Sequence, residues 1–121
     1  SFTATWTANA TTGFTVTQAI TVNYHKVGRT VTIDVPAVNA TCGTAVPSLT
    51  SDAMPSLLRP LTTHEQPVIV VRDVTIQTVP GDLELPTTGV IRIYKTSLCT
   101  AFTSGGACGW QAFSVSYLSA S

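Results

Sequence analysis

Residues 24–36 read Tyr-His-Lys-Val-Gly-Arg-Thr-Val-Thr-Ile-Asp-Val-Pro, two alternating patterns that meet at one glycine. Ahead of Gly28 the apolar residues stand at Ile20, Val22 and Tyr24; beyond it they stand at Val31, Ile33 and Val35. Alternation of this kind gives each strand one buried and one wet face. Lys26 to Arg29 form the short connection, with Gly28 free to take the positive φ of a tight reversal. An antiparallel hairpin is predicted. Its register is fixed by burial, because a slip of one residue would turn Val31, Ile33 and Val35 into water.

Working outward, Phe2, Ala4 and Trp6 alternate with threonines and predict a first strand, and Phe14 and Val16 predict a second. From Ala37 to Pro55 the period is lost among small residues, Gly43 and Pro47, which predicts a long connection that is functional or hides one short strand. Pro55-Ser56-Leu57-Leu58-Arg59-Pro60 has proline at both borders, so an irregular or single-turn segment is expected, its leucines pinning the loop to the core. Pro67 to Val71 is a continuous apolar run, read as a strand covered on both faces or lying at a subunit contact. A meander follows: Val74 and Ile76, a type II turn at Val79-Pro80-Gly81-Asp82, Leu83 and Leu85, a turn over Pro86 to Gly89, and a strand from Val90 to Lys95. Thr96 to Gly109 is a second irregular stretch. Phe113, Val115 and Tyr117 make a closing strand, for which neighbours on both sides are expected.

The 121 residues form a single domain, able to remove roughly two-thirds of its unfolded surface from water. Charged residues make up 10% of the chain, against about 25% in ordinary globular proteins, and six basic side chains balance six acidic ones. Such a surface offers no field for phosphates, so no nucleic-acid partner is expected. No apolar run reaches the ~20 residues of a membrane span, so no membrane insertion is expected. The abundance of threonine suits half-exposed strands. The fold class is therefore all-β, an antiparallel β-sandwich of eight to ten short strands, jelly-roll-like. A chain that opens on Ser1 and enters a strand pattern almost at once is expected to be the C-terminal part of a longer protein.

Chemistry-bearing residues are sparse. His25 and His64 stand in no metal-ligand spacing, and no metal or other cofactor is expected. Asp82 and Glu84 lie two apart on one strand and share a face, whereas glycoside hydrolysis needs carboxyls on opposite sides of a cleft; a solvated strand face is the stronger reading. No nucleophile elbow or phosphate-cradling loop is present, and no enzyme activity is expected. Asn9 and Asn39 each open an N-glycosylation triplet of a kind that arises readily in a threonine-rich chain.

Three cysteines leave at least one free or paired between chains. Cys99 and Cys108 flank an eight-residue loop, and a disulfide between them would stiffen it outside the cell; the other reading makes all three small buried hydrophobes. Trp110, with Thr103 and Ser104 nearby, offers the aromatic plane and hydroxyls that suit a neutral carbohydrate; equally, it opens the last strand as a core residue. Asn39 and Thr41 of the first long connection complete the candidate receptor contacts.

Four segments in order carry a resemblance: the hairpin Tyr24-His25-Lys26-Val27-Gly28-Arg29-Thr30-Val31, the segment from Pro55 to Pro60, the strand Gly89-Val90-Ile91-Arg92-Ile93-Tyr94, and the terminal Ser116-Tyr117-Leu118. Together they resemble the C-terminal head domains of viral fibres, as in bacteriophage tail fibres and related spikes of large DNA viruses. The three cysteines depart from that pattern. The resemblance implies a homotrimer at a fibre tip on the virion surface, attaching to a host-surface glycan or glycoprotein. A high apolar content of 44% fits an oligomer interface, with part of Val68 to Val71 or the Tyr94 face about a threefold axis. Two other functions remain: a structural domain that trimerises or caps a virion protein, and a secreted carbohydrate-binding module.

Overall fold

β1 (Phe2–Trp6), β2 (Gln18–Val27) and β3 (Thr30–Val35) follow one another as an antiparallel meander in the computed structural model, which describes residues 1–8, 14–41, 48–72, 75–76, 81–94 and 107–121. The expected hairpin is present. Gly28 takes φ 59°, and Tyr24 pairs with Ile33 across the two strands. Val22, Val31, Ile33 and Val35 are buried, while Tyr24, near the end of that face, packs on Phe2 and stays partly exposed.

Two strands occupy the stretch read as a long connection: β4 (Val38–Thr41) and β5 (Ser48–Ala53). Their inward sets, Val38 with Ala40 and Leu49 with Ser51, include small or polar residues, which is why the alternation escapes a hydrophobic reading. Ser51 is buried because its hydroxyl accepts from Ile91 N at 2.9 Å and donates to Asp52 O at 2.7 Å. Phe14 and Val16, by contrast, form no strand; Phe14 enters the core beside Trp110 while Val16 points to water.

A single 3-10 turn at Ser56–Leu58 follows, and only Leu58 of its two leucines is buried. The apolar run beyond it is divided. β6 (His64–Val68) ends and β7 (Val70–Arg72) begins on either side of Ile69, which is 51% exposed, and the two strands belong to different sheets. A change of sheet, with Val68 and Val70 both turned inward, therefore replaces the strand covered on both faces. Pro67 is tolerated because β6 is an edge strand.

β8 (Thr75–Ile76), β9 (Gly81–Leu85) and β10 (Val90–Tyr94) continue the chain, with Leu83, Leu85, Ile91 and Ile93 fully buried. The expected turn at Pro86 to Gly89 closes through Gly89 N donating to Pro86 O at 2.9 Å. Of the type II turn expected at Val79 to Asp82, Val79 and Pro80 lie outside the described residues, while Gly81, without a positive φ, and Asp82 open β9 instead. β11 (Ala107–Trp110) is a strand of its own, so Trp110 ends one strand rather than opening the next. β12 (Phe113–Leu118) closes the fold.

The sheets run β1-β2-β3-β12, β5-β10-β9-β6 and β4-β11-β7-β8, all pairings antiparallel. The protein is all-β, with twelve strands among the described residues packed on one buried cluster. β12 has a single ladder neighbour, β3, rather than the two expected. Its outer edge is covered instead by Gln66 Nε2, which donates to Ser114 O, and by Leu61 N, which donates to Leu118 O.

Four sequence segments far apart in the chain meet at the C-terminal end of this sheet. Tyr117 Oη donates to Leu58 O at 2.6 Å, and Ala120 N donates to Arg59 O at 2.9 Å. The Arg59 side chain lies over Gly89, where an added Cβ would come within 2.7 Å of Cγ, and its Nε donates to Met54 O. Lys26 Nζ donates to Gly28 O, Ser119 Oγ and Ser121 O, and Arg29 Nε donates to Ser119 O. Each of these cations is thus used on backbone or hydroxyl oxygens, and none pairs with an Asp or Glu among the described residues.

Candidate functional site

The outward face of the β1-β2-β3-β12 sheet follows from the same alternation that fills the core. With Val31, Ile33 and Val35 turned in, Thr32 and Asp34 are turned out, beside Asn23 and His25 of β2 and Ser114 and Ser116 of β12. Registration makes rows of them: Asn23, Asp34 and Ser114 lie opposite one another, as do His25, Thr32 and Ser116. Ser114 Oγ donates to Asp34 Oδ1, and the Thr32 and Ser116 hydroxyls are 2.8 Å apart.

At one end of this face is an open hollow of ≈ 370 Å³, lined by Thr21, Asn23, Asp34, Val35, Pro36, Ala112, Phe113 and Ser114. A second, of ≈ 350 Å³, shares Ala112 and Phe113 and is otherwise bounded by Pro67, Val68, Ile69 and Gln111. Phe113 borders both hollows, with its side chain on the core-facing side of the sheet beside Val35 and the polar lining on the outer side. Both volumes reach the lower end of the range for small-molecule sites, which starts at about 300 Å³. Among the described residues Asp34 is the one charged residue lining either hollow.

The surround is held from several directions. Trp110 Nε1 donates to Pro36 O at 3.0 Å, Gln111 N donates to Ile69 O at 2.9 Å, and Gln66 Nε2 donates to Ser114 O at 3.2 Å. These bonds tie the backbone around the hollows to the neighbouring strands.

Trp110 itself is fully buried, with its ring 4.7 Å from that of Trp6, and leaves no face for a sugar. The structure thus corrects the stacking role and places Trp110 in the core, beneath Pro36. Asn39 and Thr41 are exposed on β4, opposite Gly109 and Ala107, and neither lines the hollows. Thr103, Ser104 and Cys99 lie outside the described residues. Cys108 is buried and disulfide-bonded, while the Cys99 half of the expected pairing is outside the described residues.

His25 is exposed on β2, and His64 on β6 has its Nε2 3.4 Å from Gln66 Oε1. Among the described residues no group of three or more His, Cys, Asp or Glu side chains could hold a metal. Asp82 and Glu84 share a face, as expected, with Glu65 opposite Glu84. Partial burial, then the charges of Glu65 and Glu84, push the Asp82 carboxyl up from its ordinary range. Glu84 pairs with Arg92 at 2.9 Å, so this face is a strand-borne charge network. Among the described residues no helix is long and apolar enough to cross a membrane.

Asn23, Asp34 and Phe113 were not singled out by sequence reasoning. The available signal was Asp34, a lone acid on the wet face of an otherwise neutral strand; its juxtaposition with Ser114, 80 residues away, is tertiary. Compared with known protein families and curated proteins, the chain matches no family model and no curated protein.

Proposed function

We propose that this chain is a viral fibre head domain, jelly-roll-like and homotrimeric, that attaches to a host cell by binding a surface glycan without catalysis. The observation that carries the reading is the convergence at one sheet end of the hairpin, the Pro55 to Pro60 segment, Gly89 and the terminal strand. These are the four segments whose order resembles fibre heads, and they act as one structural unit. The weakly charged, hydroxyl-rich sheet face and its open hollow support recognition of a neutral partner. A disulfide at Cys108 supports a position outside the reducing interior of a cell.

The test is native mass by light scattering coupled to size exclusion, with and without reductant, followed by binding to host cells before and after enzymatic deglycosylation. A reductant-insensitive trimer that binds cells and loses them on deglycosylation is expected. A monomer that still binds glycan would make the chain a carbohydrate-binding module instead. A trimer without cell binding would make it a structural trimerisation or capping domain.

A further inference from the structure

The last outward row of the β1-β2-β3-β12 sheet breaks its polar pattern. Val27 pairs with Thr30 and Thr30 with Leu118, while the bridge between Pro60 and Ser119 and the bond from Leu61 N to Leu118 O set Leu61 opposite Leu118. Residues directly opposite one another share a face. Val27, Thr30, Leu118 and Leu61 therefore form one row across four chain segments, about 14 Å long at ~4.8 Å per strand. Val27 is 66% exposed, Leu118 56% and Leu61 47%, and Thr30 between them is exposed and adds a methyl group. The next rows hold His25, Thr32 and Ser116, then Asn23, Asp34 and Ser114. Exposed large apolar side chains on this face are thus confined to its end.

The same end is cationic. Arg29 stands exposed in the hairpin turn between Val27 and Thr30, its Nε donating to Ser119 O and its two terminal nitrogens without a partner among the described residues. Lys26 Nζ reaches Ser119 Oγ and Ser121 O beside it. Neither pairs with an Asp or Glu among the described residues. β2 and β12 contain no acidic residue, and the one acid of β3, Asp34, is four residues from Thr30, about 13 Å along the strand.

An apolar row edged by positive charge is matched by a nonpolar medium that lies directly beneath an array of anions. The outer ~5–10 Å of an anionic bilayer supplies both. We propose that this sheet end docks on an anionic lipid surface, with Val27, Leu118 and Leu61 entering the boundary of the acyl chains and Arg29 and Lys26 facing the headgroup anions. Only side chains enter, so docking needs no spanning segment. A soluble polyanion would leave the apolar row in water, and a second copy packed face to face would bring its own Arg29 against this one. The docking surface is independent of the glycan reading above and adds a second contact with a cell.

The test is co-sedimentation of the whole protein with phosphatidylcholine vesicles and with mixed phosphatidylcholine–phosphatidylserine vesicles, neither of which carries a glycan. Binding to the mixed vesicles alone, weakened by added salt, is expected. Arg29→Gln should weaken it about fivefold, the worth of one basic side chain near an anionic surface. Val27→Ser combined with Leu118→Ser should weaken it by about tenfold or more, with thermal stability close to that of the parent because both side chains are already largely in water. Ile69→Ser removes an exposed apolar side chain at the other end of β12, beside Gln111, and should leave binding as it was. No sedimentation with the mixed vesicles, equal binding to both kinds, or full binding by the folded double variant overturns the proposal. So does a native dimer that the double variant abolishes, which assigns the row to a second copy, or retention on heparin without vesicle binding, which assigns the charge to a soluble polyanion.

Discussion

The indole rings of Trp6 and Trp110 lie 4.7 Å apart between centroids and tilted by 47°, joining the first strand to the eleventh at the centre of the core. Both rings are fully buried, but their N–H groups are treated differently. That of Trp110 donates to Pro36 O, whereas that of Trp6 is buried with no partner among the described residues.

Replacing either indole by phenylalanine removes the same volume, so the hydrogen bond decides the difference. Trp110→Phe strands Pro36 O, while Trp6→Phe removes a donor that was already unsatisfied. We expect Trp110→Phe to cost about 1–3 kcal/mol more than Trp6→Phe in urea unfolding. Equal losses would show that the Pro36 contact contributes nothing to stability.

Tyr117 gives an alkaline limit to stability. Burial pushes its phenol from 10.0 up to about 12, with the hydroxyl donating to Leu58 O. The unfolded chain releases this proton near pH 10 and the folded one holds it, so the stabilisation is complete below pH 10 and is lost as pH rises toward 12. Tyr117→Phe should lower stability at pH 7 by about 1–2 kcal/mol and flatten this part of the alkaline unfolding profile. A profile of unchanged slope in the variant would assign the alkaline limit to other groups.

Gly109 has φ 150°, and a Cβ there would run into Val38 O of the paired strand. Gly109→Ala must therefore push β4 off β11 and strain the backbone. A loss of roughly 2–5 kcal/mol is expected from overpacking and strain together. Amide exchange at Asn39 and Ala40 should accelerate; protection equal to the parent would mean that the ladder absorbs the methyl.

Asp82 faces Glu65 and Glu84 and has its pKa raised, so its ionised form opposes folding at neutral pH and the opposition is relieved as pH falls through its titration. Asp82→Asn should raise the melting temperature slightly at pH 7, by no more than about 0.5 kcal/mol of stability for so accessible a group. The gain should disappear in acid. A loss of stability at pH 7 would reveal a favourable contact of the carboxylate.

The disulfide at Cys108 accounts for two of the three cysteines, so one thiol per chain should titrate in denaturant without reductant. Reduction should then cost about 2–5 kcal/mol. Three reactive thiols before reduction would show that the bridge does not form in solution.

Legibility of the sequence tracked how cleanly burial was written into alternation. Val31, Ile33, Leu83, Leu85, Ile91 and Ile93 fall on strands with their apolar sets turned in, as read. β4 and β5 were hidden because alanine and a buried serine stand where larger apolar residues would mark the pattern. Trp110 was read both as surface and as core; neighbouring glycines and hydroxyl residues say nothing about which strand lies above an indole. Asp34 and Asn23 were passed over singly because only the ladder between β2 and β3 sets them opposite each other.

The alternation of apolar residues determined the strands of the hairpin, the meander and the C-terminus, since a one-residue shift would expose a whole buried face. Gly28 determined where the hairpin turns, because it takes φ 59°, a region glycine enters without steric cost. Strand order was decided only by tertiary packing. Alternation specifies which face of a strand is buried and carries no term for its neighbour, so the pairing of β3 with β12 and the break at Ile69 emerge when the core closes. The hollow beside Phe113 has the same origin. It exists because Asp34 and Ser114 face each other across a ladder between segments 80 residues apart, a contact that no local pattern encodes.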